Sequence, residues 1–141
     1  MNWREEAIAR LRQYDGARKA AANLPAEVAR IRGVVESPGA ARTDTPGDSA
    51  NSREDWLLGQ LQRLEELERQ LVHTRAWLAA MDGALSALTP EEKLVLHRLF
   101  ICPQKGNAER LCEELNAERS SVYRKRNAAL THFTTALYGP T

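Results

Sequence analysis

NAERLCEELNAERSSVYRKRNAAL, residues 107–130, holds two helical patterns with almost nothing between them. In the first, Leu111, Cys112 and Leu115 share a face, and Asn107 is suited to cap its start. In the second, Val122, Ala129 and, just beyond, Phe133 fall opposite Arg119, Ser120, Tyr123, Arg124 and Asn127. Only residues 116–118 separate the two, so the helices must cross at a corner rather than run on. Asn116 suits that corner, because asparagine enters the left-handed conformation that ends a helix more easily than other non-glycine residues. Cys112, at the expected close approach, behaves when reduced as a small hydrophobe. A helix, a three-residue turn and a second helix is the helix-turn-helix arrangement. From Arg119 to the C-terminus there are four Lys/Arg and no Asp or Glu, although the whole chain carries a formal net charge of only +1. Positive charge gathered on one helix points to a polyanionic partner.

Working outward, LTPEEKLVLHRLF at residues 88–100 opens a helix: Thr89 caps, Pro90 takes the first turn and Glu92 completes a capping box. Leu94, Val95, Leu96, Leu99 and Phe100 give it an apolar arc wide enough for a core helix. ICPQKG at residues 101–106 is a loop bracketed by Pro103 and Gly106. Upstream, residues 53–88 form one long amphipathic helix with Leu57, Leu64, Leu71, Leu78 and Leu85 at every seventh position. Gln60, Leu67, Thr74, Met81 and Leu88 fill the companion positions. That stripe packs either on the N-terminal helices or on a second copy, making a homodimer seam. Residues 37–52, rich in Pro, Gly, Ser, Thr and Asp, are a linker. In residues 1–36, Asn2 caps a pattern carried by Trp3, Ala7, Leu11 and Tyr14, then by Val28, Ile31 and Val35. This predicts two helices, or one kinked at Leu24 and Pro25, with Pro25 suited to a first turn. Sparse β-branched residues and abundant Ala, Leu, Glu, Arg and Gln predict an all-α protein. Its expected parts are N-terminal helices (1–36), a linker (37–52), a long helix (53–88) and a helix-turn-helix domain (89–141).

The remaining chemistry argues mostly by exclusion. Cys102 and Cys112 lack a CxxC spacing and no apolar leader precedes MNWREEAIARL, so a reducing cytoplasm is the expected compartment. No run approaches the ~20 apolar residues of a membrane span. His73, His97 and His132 show no finger spacing with either cysteine, and no metal or other cofactor is expected. There is no Gly-rich phosphate loop, nucleophile elbow or paired-carboxylate motif, so enzymatic activity is not expected. Trp3, Trp56, Trp77 and Tyr138 are scattered over different helices and read as packing residues rather than a base-stacking platform.

The stretch LTPEEKLVLHRLF with AERLCEELNAERSSVYRKRNAAL resembles region four of bacterial sigma factors, without gaps from Leu111 to Leu130. Across nearly the whole chain the layout is similar to the phage-encoded RinA/ArpU-type transcriptional regulators, whose hallmark is VYR plus basic residues, then AL. Those chains end close to ALYG, here Ala136 to Gly139. The resemblance implies a second helix lying in the DNA major groove, with Arg119, Ser120, Tyr123, Arg124 and Asn127 at reading positions. Ser121 and Arg126 complete the DNA-binding stretch. Lys125 stands where sigma factors bury an apolar residue, so its stem is expected along the core with its ammonium reaching a phosphate. Ala128 replaces a basic residue, which removes one contact. Lys105 and Asn107 are further phosphate-contact candidates. The implied partners are double-stranded DNA and host RNA polymerase, and the implied role is activation of phage late genes in the nucleoid of a bacterial host. Phage small terminase subunits combine a helix-turn-helix with an oligomerising helix too, so binding genome ends for packaging is the alternative.

Overall fold

The computed structural model describes residues 2–37 and 50–140, and most of the expected linker, residues 38–49, lies outside them. The described residues form an all-α protein without strands: α1 (Trp3–Glu36), α2 (Ala50–Ser86), α3 (Pro90–Leu96), α4 (Asn107–Leu115) and α5 (Arg119–Tyr138). Met1–Arg18 and Trp77–Thr141 make one compact unit, and Lys19–Ala76 make the other. The unit holding the C-terminal helices thus takes in the first turns of α1 and the end of α2.

Within Lys19–Ala76, the two arms are held by Val28 and Ile31 of α1 and Leu71 of α2, all buried. Leu24, Val35, Leu57, Leu64 and Leu67 are half-buried, as are the polar companions Gln60 and Thr74. Arg32 donates to Glu68, and Arg63 lies 3.7 Å from Glu27. Glu27 also accepts two bonds from Arg30, at 2.7 and 3.0 Å, and these hold its carboxyl below the usual range. Such exposed pairs add little stability but fix which faces meet. Pro25 does not start a helix: it sits inside α1. Its missing N–H costs a hydrogen bond there. Half-buried Ala21 and Leu24 and buried Val28 and Ile31 keep an unbroken three-four spacing across it, so of the two expected arrangements the single helix is the one formed.

In the other unit Asn2 caps α1, its Oδ1 accepting from the Glu5 N–H at 3.2 Å. Ala7 and Leu11 of α1 pack in one core with Met81 and Ala84 of α2, Leu88, Leu96, Phe100, Ile101, and Ala129, Leu130 and Phe133 of α5. Complete burial of Leu11, Met81, Leu96, Leu130 and Phe133 makes each worth roughly 1.5–3 kcal/mol. Thr89 and Glu92 form the expected capping box, with bonds of 3.2 and 3.1 Å. α3 continues through His97–Ile101 as a π-helical stretch, in which the Cys102 N–H donates to the His97 carbonyl at 2.9 Å. The helix serves two cores: Leu96, Phe100 and Ile101 face the first, Val95 joins Leu111 and Val122 in a second, and Leu99 packs against both.

Of the heptad leucines, Leu71 is buried and Leu57, Leu64, Leu78 and Leu85 are half-buried. The face named as a homodimer seam is therefore largely covered by the chain itself. Of the expected packing residues Trp77 and Tyr138 are half-buried, whereas Trp3 and Trp56 are 40% and 46% exposed.

Candidate nucleic-acid interface

The corner between α4 and α5 is built from three residues. Asn116 adopts φ 50° and ψ 49°, the left-handed region, and its N–H reaches the Cys112 and Glu113 carbonyls. The Ala117 N–H closes back on the Cys112 carbonyl at 3.0 Å. This six-to-one closure satisfies the helix's last carbonyls. Ala117 then packs with Cys112 and Leu115 around Val95, Leu111 and Val122. Cys112 is half-buried rather than fully enclosed. Glu118 is extended at φ −75° and ψ 160°, and α5 starts at once after it.

α5 is gripped at two points, by Val122 in the small core and by Ala129, Leu130 and Phe133 in the large one. What projects between and beyond them is fixed by the helical period. Arg119, Ser120, Tyr123, Arg124 and Asn127 are all exposed, Ser121, Lys125 and Arg126 are half-buried, and Val122 is buried. Tyr123 is 55% exposed, so a phenol ring stands in solvent among the cations.

The cations differ in how they are held. The Arg119 guanidinium pairs with Glu109 of α4 at 3.2 Å. The Lys125 ammonium donates to Glu91 of α3, so its charge ends on a carboxylate. Arg126 lies 5.5 Å from the Phe100 ring centre and 6.0 Å from that of Tyr123, both within cation–π range. Arg124 is exposed and, among the described residues, has no ion-pair or hydrogen-bond partner. Leu99, Phe100, Ala108, Arg119, Val122 and Arg126 line a crevice of about 250 Å³ beside this face.

The two phosphate-contact candidates outside α5 part company. Lys105 is exposed in the loop. Asn107 is neither a cap nor exposed. Gly106, at φ 80°, takes the position before the helix, and Asn107 is 7% exposed with its side-chain N–H₂ donating to the Arg98 carbonyl at 2.5 Å. The π-helical stretch explains this, since it leaves carbonyls without their usual partners and Asn107 satisfies one.

Three residues of this face were not singled out from the sequence. Glu91 and Glu109 each sit in the first turn of a helix, where acidic side chains are unremarkable. Arg4 reaches across from α1 to Asn127, donating to its Oδ1 at 2.9 Å. A separation of 123 residues leaves no local pattern from which that contact can be read.

Behind the face, His132 Nδ1 meets Glu92 Oε2, tying α5 to the capping box. Burial raises the Glu92 carboxyl, but hydrogen bonds from His132 and from the Thr89 N–H and hydroxyl outweigh it and hold the group below its usual range. Among the described residues no cluster of three His, Cys, Asp or Glu is placed to hold a metal ion, and no helix is long and apolar enough to cross a membrane. Comparison with protein-family models, with curated proteins and with solved structures found no match.

Proposed function

We propose that the chain is a sequence-selective DNA-binding regulator of transcription, of the RinA/ArpU type, that uses α4 and α5 as a helix-turn-helix. One observation supports this most: an acid-free helix, seated by Val122 against α4, leaves Arg119, Ser120, Tyr123, Arg124 and Asn127 exposed together. An α-helix fits the major groove, where arginine can make two hydrogen bonds to guanine and asparagine two to adenine. Arg124 is the foremost base-reading residue, because no carboxylate has to be displaced before it binds. Arg119, Lys125 and Lys105 supply phosphate contacts, the first two by exchanging Glu109 and Glu91 for the backbone. Action alongside host RNA polymerase, on phage late genes in the bacterial cytoplasm, belongs to the same proposal and rests on the sigma-like pattern. Genome packaging is less favoured, because an oligomerising role needs the leucine stripe of α2 free, and that stripe is largely covered within the chain.

The test is selection from a pool of random duplexes, followed by titration of the enriched site with wild-type chain and with Arg124→Ala. Enrichment of one motif is expected, and Arg124→Ala is expected to lose about 1–3 kcal/mol of discrimination at one base pair. Binding that rises equally for all duplexes, or no binding at moderate salt, would refute the reading. Transcription by purified polymerase from phage late DNA, with and without the chain, separates a regulator from a packaging subunit.

A further inference from the structure

The beginning of α1 lies against α5. Ala7 and Leu11 are fully buried in the core that holds Ala129, Leu130 and Phe133. The Trp3 ring lies 4.8 Å from that of Tyr138, and Arg10 sits 5.2 Å over the same tyrosine. Trp3 and Arg4 line a shallow cleft with Thr131, Thr134 and Thr135. From this seat Arg4 extends along α5 toward its basic end. Its Nη2 donates to Asn127 Oδ1 at 2.9 Å and approaches the Asn127 carbonyl at 3.4 Å. That carbonyl also accepts from the Thr131 hydroxyl at 2.9 Å.

We infer that Arg4 is a specificity-determining positioning residue, which sets the Asn127 amide so that its N–H₂ group faces the DNA at a purine. A guanidinium carries five N–H donors and no acceptor, so the amide atom it meets has to be the oxygen. With Oδ1 turned to Arg4, the two Nδ2 donors point away along the exposed side of α5. Purine N7 is an acceptor in the major groove for both adenine and guanine, and an N–H₂ donor held outward suits it. Oδ1 keeps a second lone pair, through which it can also accept from the adenine amino group, so adenine is the preferred purine. An unrestrained asparagine would have to be fixed on binding, at the cost of side-chain entropy. The inference rests on the proposal that α5 reads DNA, and it adds a residue from the far end of the chain to that surface.

Two measurements separate this inference from its premise. In the free protein, the Asn127 side-chain N–H₂ signals in a ¹⁵N correlation spectrum should shift in Arg4→Ala and stay near their wild-type positions in Arg4→Lys, which still offers a donor. On DNA, each base is varied at every position of the selected site. Asn127→Ala should erase a purine preference at one position. Arg4→Ala should cut that same preference from roughly tenfold, the scale of one good base contact, to about twofold. In an Asn127→Ala background, Arg4→Ala should leave the base profile unaltered. Unmoved amide signals, an unaltered base profile in Arg4→Ala, or a full Arg4 effect persisting without Asn127 would each overturn the inference while leaving DNA reading intact. A wild-type chain that selects no sequence would overturn the premise and the inference together. Arg4 is exposed, so unchanged melting of Arg4→Ala is the expected control for folding.

Discussion

Arg119 and Arg124 carry the same charge five residues apart, yet their surroundings give them different duties. Arg119 is held by Glu109 with both side chains more than 60% exposed, a pair that water screens and that contributes little to folding. On the proposed DNA reading its effect falls on binding instead, since a phosphate could take Arg119 only by displacing Glu109, and the freed carboxylate would then stand near the DNA backbone. Glu109→Gln removes both obstacles. Affinity for DNA of any sequence should rise at low salt, and the slope of log K against log salt should steepen by about 0.9, one further phosphate neutralised. Fluorescence anisotropy across a salt series measures this, and an unchanged slope would mean that Arg119 gains no phosphate contact when the Glu109 charge is removed. On the proposed DNA reading, such carboxylates beside α5 would suppress sequence-independent binding and so sharpen the contribution of Arg124.

The corner between α4 and α5 is an element whose geometry hangs on a single backbone conformation. Asn116 at φ 50° is the only non-glycine residue with positive φ among the described residues. Asn116→Gly should leave stability within a few tenths of a kcal/mol of wild type, whereas Asn116→Ala should cost about 1 kcal/mol, the penalty of holding a Cβ in the left-handed region. Urea melts of the two variants distinguish these outcomes, and equal losses would place the sensitivity elsewhere. The start of α3 gives the pH counterpart. Glu92 titrates below its usual range in the folded chain, so its contribution is complete above the unfolded value of about 4.3 and fades as pH falls through the lower folded value. Glu92→Gln keeps the capping geometry but loses the charge facing His132. Its melting temperature should lie below wild type near neutral pH and converge with it in acid, as thermal melts between pH 3 and pH 7 would record. These local devices were legible in the sequence because capping boxes and left-handed asparagines are written in adjacent residues. The role of Asn107 was not, because the carbonyl it satisfies is exposed by the π-helical turn nine residues earlier, and nothing in LHRLFICPQKG announces that turn.

At the scale of the whole molecule, the heptad of α2 told of a covered face but not of what covers it, since an apolar stripe has the same spacing whether its partner is intramolecular or a second copy. The continuity of α1 was left open between one helix and two for the opposite reason: Pro25 is a strong local breaker, and only the burial of Val28 and Ile31 outweighs it. Neither outcome depends on the residues proposed to face DNA, and the division of the chain into Met1–Arg18 with Trp77–Thr141 and Lys19–Ala76 gives this a consequence. Ile31 is fully buried in the second unit, and Ile31→Ala should destabilise it by about 2–5 kcal/mol through lost burial and an unfilled cavity. Phe133 is fully buried in the first, on the inner side of α5 itself, and Phe133→Ala should cost about 3–5 kcal/mol there. Measured at a temperature where both variants remain folded, Ile31→Ala should bind the selected duplex with unchanged affinity, while Phe133→Ala, which loosens the seat of α5, should bind it more weakly. Equal loss of binding in both variants would show instead that the Lys19–Ala76 unit takes part in DNA recognition, and the reading surface would then have to extend beyond α5 and Arg4.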